Sequence, residues 1–130
     1  MRVFKNTWFA RYAGKAGISD NELREAVSQL EAGAGGANFG GANFGGANLG
    51  GDVYKVRIAR PGKGKSGGYR VIVLFRSGER TFYVYAFAKS ERANISEKEL
   101  RNMKRAAKKY FSMTPDQLAE RVKNGQLIEL

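Results

Sequence analysis

The chain has 130 residues, 42% of them hydrophobic, which is enough for one domain with a modest core. It contains no cysteine and no histidine, so disulfides, thiol chemistry and catalysis by an imidazole are excluded, and a structural zinc site nearly so. Its formal net charge of +11 is concentrated in residues 53–89, which carry nine basic side chains and one acidic one. Such a local charge favours a polyanionic partner: RNA, DNA or an acidic protein segment.

The N-terminal third predicts a helical hairpin. Residues 5–17 place apolar side chains at helical spacing, and residues 18–33 do so more clearly. Ser19 and Glu22 form a capping box before the second helix, and Gly33 can end it. The aromatic residues of the first helix, which we expect in the core, are Trp8, Phe9 and Tyr12.

A tandem repeat, "GGANFGGANFGGANLGG", follows at residues 35–51. It resembles the pattern of pentapeptide-repeat β-helices, with Phe39, Phe44 and Leu49 at the inward position. Three pentapeptides are too few to stack one coil on another. We therefore expect a low-complexity, glycine-rich loop.

From residue 53 the apolar period becomes two, which predicts strands. Residues 53–59 have an apolar face and a basic face that carries Lys55 and Arg57. Residues 68–76 are apolar on both faces, which is typical of a central strand, and residues 81–89 form a third strand after a tight turn. In the third strand we expect strict alternation, with Phe82, Val84, Ala86 and Ala88 on one face and Tyr83, Tyr85, Phe87 and Lys89 on the other.

The C-terminal part predicts two more helices. The first follows a capping box formed by Ser96 and Glu99, and the second has Thr114 as its cap and Pro115 at its first position. The predicted class is α+β: a helical hairpin, a curved antiparallel β-meander, and one or two C-terminal helices. We expect residues 1–130 to form a single domain.

Residues 59–66 also match a permissive P-loop pattern. A P-loop opens a helix, whose amides hold the phosphates, whereas the residues after Ser66 favour a strand. No carboxylate follows a later apolar strand to hold magnesium. We therefore interpret residues 60–68 as a basic hairpin connection, in which Lys63 and Lys65 can approach a polyanion.

Two segments, "DVYKVRIARPGKGKSGGYRVIVLF" and "RTFYVYAFAKSERANISEKEL", resemble toxins of the bacterial RelE/ParE superfamily, and most closely its HigB-like RelE branch. The resemblance covers about residues 1–111 and leaves out the repeat and the last 20 residues. It implies a compact fold in which helices pack against a curved antiparallel sheet, in agreement with the pattern above.

The resemblance implies a ribosome-dependent endoribonuclease that cuts mRNA in the ribosomal A site, with mRNA and ribosomal RNA as partners. The ribose 2′-hydroxyl would attack the adjacent phosphate, and no metal or other cofactor would be needed. It also implies an acidic cognate antitoxin, usually one that binds DNA. We see no signal peptide and no membrane-spanning apolar run, so we expect a cytoplasmic protein without a membrane partner.

The resemblance and the charges suggest roles for individual residues. Arg57 and Arg70 would bind phosphate, because guanidinium is a poor base and a good phosphate clamp. Lys55 would transfer a proton or stabilise charge, with Lys89 as a second candidate. Further RNA contacts would come from Lys63, Lys65 and Arg92. Two departures from the family pattern are Ser90, where a basic residue is usual, and Ser96, where some members have tyrosine.

Two other hypotheses stay open. One is a ParE-like toxin that poisons gyrase and has no nuclease activity. The other is a nucleic-acid-binding module without catalysis. Tyr69, Tyr83 and Tyr85 could stack on bases, although tyrosines in such strands are more often half-buried parts of the sheet.

Overall fold

Helices cover both faces of a mostly antiparallel sheet. The computed structural model describes residues 1–33, 46–60 and 64–130, with the backbone alone for residues 60 and 64–67. Its strands are β1 (Arg2–Asn6), β2 (Ala47–Asn48), β3 (Val53–Arg60), β4 (Gly64–Phe75), β5 (Arg80–Ala88) and β6 (Leu127–Glu129). Its helices are α1 (Thr7–Ala16), α2 (Asp20–Gly33), α3 (Glu97–Phe111) and α4 (Pro115–Lys123). The α+β class is confirmed.

The strand order in the sheet is β2-β3-β4-β5-β1-β6. β3, β4 and β5 form the predicted antiparallel meander, whereas β1 lies parallel to β5 and antiparallel to β6. The sequence did not predict β1 or β6, because segments of five and three residues are too short to show a period. They form strands because β5 offers a free edge to β1, and β1 then offers one to β6.

The central strand β4 is buried on both faces, as predicted; its residues 71–75 are all at most 1% exposed. β4 already begins at Gly64, so the connection from β3 is shorter than the predicted residues 60–68. No helix follows Ser66, which agrees with the rejection of the P-loop. Most of the repeat lies outside the described residues. We expected the end of the repeat to be a loop as well, but Ala47 and Asn48 form β2 and pair with β3.

The prediction of strict alternation in β5 is wrong. Ile72 of β4 lies opposite Tyr85, but the next residue, Val73, lies opposite Tyr83. Val84 is therefore an extra residue, a β-bulge that shifts the order of the faces. Tyr83 consequently packs with the α1–α2 layer, and Tyr85 packs on the opposite face with α3.

The first helical layer, α1 and α2, packs on the sheet face that includes Val56, Val71 and Tyr83. The predicted capping box is present: the Glu22 amide donates to Ser19 Oγ at 3.2 Å, and the Ser19 amide donates to Glu22 Oε1 at 3.1 Å. The buried Tyr83 hydroxyl donates to the Leu23 carbonyl at 2.6 Å, which ties β5 to α2.

The second layer, α3 and α4, covers the other face. Both helices begin at capping boxes, formed by Ser96 with Glu99 and by Thr114 with Gln117. The core on this side includes Phe4, Ile72, Leu74, Phe82, Phe111 and Leu118. Within the described part of the chain, no helix has the length and apolarity needed to cross a membrane.

Candidate nucleic-acid interface and active site

Strand register brings two arginines together. Arg57 of β3 lies directly opposite Arg70 of β4, and Lys55 lies opposite Ile72, so Arg70 is its diagonal neighbour. The three side chains share one face, because residues two apart on a strand point the same way. Arg70 is only 4% exposed, while Lys55 and Arg57 are half-buried. We call Lys55, Arg57, Arg70 and Lys89 the cationic face.

Lys89 follows the last residue of β5 and continues its pairing. Its amide donates to the Gly68 carbonyl of β4 at 3.1 Å. This bond keeps Lys89 at the end of the sheet where Arg70 also lies. Its charge is near enough to act on the Lys55 ammonium. All four predicted catalytic residues are thus brought to one region of the molecule.

Two residues of the cationic face, Lys55 and Arg70, have lowered pKa values. Burial, and then repulsion from Arg70, Arg57 and Lys89, lowers the pKa of the Lys55 ammonium below its ordinary value. Burial and repulsion from Arg57 lower the pKa of Arg70 in the same way. Both lowered pKa values mean that the positive charges are less stable in the folded chain than in water. An approaching anion would offset this penalty.

Asn94 is a neighbour of the cationic face that the sequence did not suggest. Its side-chain oxygen accepts from Lys55 Nζ at 3.4 Å and from the Ile95 amide at 2.9 Å. The segment between β5 and α3 therefore reaches back to β3. Only the tertiary structure shows this contact, because 39 residues separate the two side chains.

Arg92 is held by other protein groups. It forms a bidentate ion pair with Glu99, at 2.7 and 3.1 Å, and donates to the Asn94 carbonyl at 3.0 Å and the Tyr85 hydroxyl at 3.1 Å. Its guanidinium also lies 5.4 Å from the centre of the Phe87 ring. Arg92 thus braces the segment that carries Asn94. The ion pair, together with hydrogen bonds from Ser96, lowers the pKa of Glu99 to about 2.

The two other predicted RNA contacts, Lys63 and Lys65, belong to the segment that joins β3 to the centre of β4. Lys63 lies outside the described residues, and Lys65 is described only through its backbone in β4. Among the residues that the structure does describe, no cluster of carboxylates is arranged to hold a metal ion.

The expectation that the aromatic residues of α1 belong to the core is wrong for Trp8. Phe9 is buried, but Trp8 is 44% exposed and stacks on Tyr12 of α1 and on Tyr85 of β5. The helical face that contains Trp8 also carries Arg11 and Lys15, at spacings of three and seven residues. That mixture of aromatic and basic residues was the sequence signal for an exposed face.

The fold and the cationic face define a small α+β protein with a site suited to a polyanion. The chain matches, over residues 1–130, the family model described as the RelE toxin of the RelE/RelB toxin–antitoxin system. It therefore belongs to the RelE toxin family and is a toxin of a toxin–antitoxin system, which implies a cognate antitoxin. A search of curated proteins found no significant match.

The family match corrects one expectation. It extends to Leu130, whereas the resemblance was expected to end near residue 111. The structure explains why the C-terminus belongs to the domain: β6 pairs with β1, and the Leu130 amide donates to the Val3 carbonyl at 2.9 Å. An ion pair between Arg2 and Glu129, at 2.9 Å, joins the two ends of the chain.

Proposed function

We propose that this toxin is a ribosome-dependent endoribonuclease of the HigB-like branch, which acts in the cytoplasm and cuts mRNA in the ribosomal A site. The observation that carries the proposal is the direct pairing of Arg57 with Arg70, with Lys55 beside them. Like charges directly opposite each other in a sheet are destabilising. A site that binds an RNA phosphate accounts for retaining them.

In the proposed reaction the ribose 2′-oxygen attacks the adjacent phosphorus while its proton passes to a base. A bond forms between the 2′-oxygen and phosphorus, and the bond to the 5′-oxygen of the next nucleotide breaks. That oxygen takes up a proton, and the upstream fragment ends in a 2′,3′-cyclic phosphate. The reaction needs alignment and charge stabilisation, which cationic side chains can supply.

The exposure of the two arginines and the lowered pKa of Lys55 support the roles proposed for them. Arg57 is half-buried and can donate to the phosphate, and Arg70 forms a nearly buried floor beneath it. Lys55 is the candidate base, because its lowered pKa increases the neutral fraction that can accept a proton. Lys89, at the end of β5, is the candidate donor to the leaving oxygen. Lys63, Lys65 and Arg92 are proposed to add attraction for mRNA and ribosomal RNA.

The test is to induce the toxin in cells and map mRNA ends by primer extension. We expect cuts within codons, and Arg57→Ala and Arg70→Ala should each lower cleavage by roughly 10²–10³-fold. Arg24→Ala is the matched control, because Arg24 is an exposed arginine of α2 whose guanidinium donates a hydrogen bond to Asn21 Oδ1. Thermal unfolding must show that each variant is folded, which matters most for the nearly buried Arg70.

Other results would select the other hypotheses. A DNA-damage response with intact mRNA would indicate a ParE-like action on gyrase. Strong, salt-sensitive RNA binding without cleavage on programmed ribosomes would indicate a binding module. A folded Arg57→Ala variant with full nuclease activity would refute the roles proposed for the cationic face.

A further inference from the structure

A surface beside the cationic face combines exposed aromatic and basic side chains. We call Trp8, Tyr12 and Tyr85 the aromatic strip. On α1, Trp8 is followed at helical spacing by Arg11, Tyr12 and Lys15, of which both cations are exposed and the tyrosine is half-buried. An indole that is 44% exposed and flanked by cations differs from the scattered aliphatic residues that ordinary surfaces carry.

The rings of the strip are stacked and offset. Trp8 lies 4.6 Å from the centre of Tyr85, with an angle of 28° between the planes, and 5.3 Å from Tyr12, with an angle of 13°. Atoms of parallel rings touch at about 3.5–4.0 Å, so the larger distances between centres reflect sideways displacement. The two tyrosines therefore support the indole, and its 44% exposure leaves part of its surface open to a further ring.

Asn6 fixes the position of the strip. Its side-chain oxygen accepts from the Phe9 amide at 2.7 Å and so caps α1. Its side-chain amide donates to the carbonyl of the bulged residue Val84 at 3.1 Å. One side chain thereby joins the start of α1 to the point of β5 that precedes Tyr85. Asn6 therefore fixes the backbone that presents Trp8 to Tyr85.

The strip is continuous with the cationic face. Tyr85 lies opposite Ile72 of β4, and two residues further along β5, Phe87 lies opposite Arg70. The Tyr85 hydroxyl also accepts from Arg92. A polyanion held at Arg57 and Arg70 that continues towards α1 would therefore pass the aromatic strip and then Arg11 and Lys15.

We propose that the aromatic strip, with Arg11 and Lys15, is a second binding surface for single-stranded RNA. It stacks the base of a nucleotide near the one that is cut, while the two cations attract the phosphates. Non-specific single-strand binding uses this combination of aromatic side chains and positive charge. The proposal deepens the proposed function, since it assumes that the cationic face holds RNA.

The first experiment uses the fluorescence of Trp8, the only tryptophan of the chain. The full toxin is titrated with a single-stranded RNA whose 2′-hydroxyls are all methylated, so that it cannot be cut. We expect saturable quenching of Trp8, stronger with purine than with pyrimidine oligomers. An abasic oligomer of equal length and charge should bind more weakly and quench little, because it keeps the phosphates and lacks the bases.

The second experiment repeats the titration with variants, and binding is monitored by the fluorescence anisotropy of labelled RNA. Trp8→Ala should weaken binding of the base-bearing oligomer by roughly 5- to 150-fold, which is the loss of ~1–3 kcal/mol from one stacked base. Trp8→Phe should keep most of the affinity. Arg11→Ala and Lys15→Ala should weaken the binding of both the base-bearing and the abasic oligomer and reduce the salt dependence of binding. Arg24→Ala should change neither the affinity nor its salt dependence.

The outcomes separate this proposal from the nuclease assignment. If Trp8 responds to RNA and Trp8→Ala binds weakly in a protein that cuts nothing, the strip stands and the nuclease proposal fails. If Arg57→Ala abolishes cleavage but saturating RNA leaves Trp8 unchanged and Trp8→Ala binds normally, the strip is refuted and the nuclease stands. A Trp8 signal that appears with the antitoxin and not with RNA also overturns the proposal, since the strip would then be a protein contact.

Discussion

Replacing Lys55 with methionine should stabilise the fold while it removes activity. Methionine keeps an unbranched apolar side chain of similar length, so that packing is largely retained. What it removes is an ammonium group whose diagonal neighbour across the β3–β4 pair is Arg70. The lowered pKa of Lys55 has the same physical origin: burial first, and then repulsion from the surrounding cations.

The magnitude follows from the strand geometry. The backbones of diagonal neighbours in an antiparallel pair are about 7–8 Å apart, which we take as the scale of the separation between the two charges. Two unit charges about 7 Å apart repel by ~0.6 kcal/mol in water and ~2.4 kcal/mol at an effective dielectric constant near 20. The half-buried Lys55 lies between these limits, and its contact with Asn94 is long at 3.4 Å. We therefore expect Lys55→Met to gain about 1 kcal/mol of unfolding free energy, or roughly 3–5 °C in Tm.

The pH dependence has a definite sign. A lysine whose pKa is lowered in the folded state binds fewer protons there than in the unfolded chain. The penalty in the wild type is complete below the folded-state pKa of Lys55 and disappears as the pH rises towards the ordinary value of 10.5. The advantage of Lys55→Met should therefore be constant around neutral pH and fall in alkaline solution.

Urea unfolding at low and high salt measures the effect. The gain should shrink at high salt, because salt screens the repulsion between partly exposed charges. Lys123→Met is the control, since Lys123 is exposed and lies in the last turn of α4, where a cation interacts favourably with the helix dipole. That variant should be neutral or slightly less stable. A Lys55→Met protein that is less stable than wild type at low salt would contradict the electrostatic account of the cationic face.

Three further predictions concern the fold around the site. Glu99→Gln should lower the free energy of unfolding at pH values above the ordinary glutamate pKa of 4.5, and the difference from wild type should vanish as the pH falls towards about 2. Acid unfolding monitored by circular dichroism measures this, and a difference that persists at the lowest pH would contradict it. Tyr83→Phe should cost about 1–2 kcal/mol in urea unfolding, because the buried Leu23 carbonyl loses its 2.6 Å hydrogen bond; an unchanged midpoint would contradict this. Asp52 has φ of 65° and pairs with Arg76, so Asp52→Ala should be about 1 kcal/mol less stable than Asp52→Gly, which loses the same ion pair without the left-handed strain; equal Tm values would show that the strain is negligible.

The cationic face illustrates how the demands of binding and folding conflict. The lowered pKa values of Lys55 and Arg70 show that the fold opposes their charges. The ion pair between Arg92 and Glu99 favours folding, because it pairs a cation near this face with a carboxylate. It also fixes the segment whose Asn94 contacts Lys55. Under the proposed function, bound RNA phosphate would remove the remaining repulsion, and the toxin should be more stable with RNA than without it.

Local patterns in the sequence determined the helices, the meander and part of the site. The capping boxes at Ser19 and Ser96 and the cap at Thr114 mark helix starts, because each needs only residues three apart. Alternation in β3 was enough to place Lys55 and Arg57 on one basic face. The apolar run of residues 71–75 was enough to identify the central strand, because burial on both faces leaves no polar positions.

Only the tertiary structure decided the features that depend on distant partners. β1 and β6 become strands through pairing between the two ends of the chain, and the bulge at Val84 moves Tyr85 to the face opposite Tyr83. The stacking of Trp8 on Tyr85 depends on where α1 meets β5, and helical spacing contains no such information. The opposition of Arg57 and Arg70 required the register of the β3–β4 pair, since a shift of one residue would turn one of them to the other face.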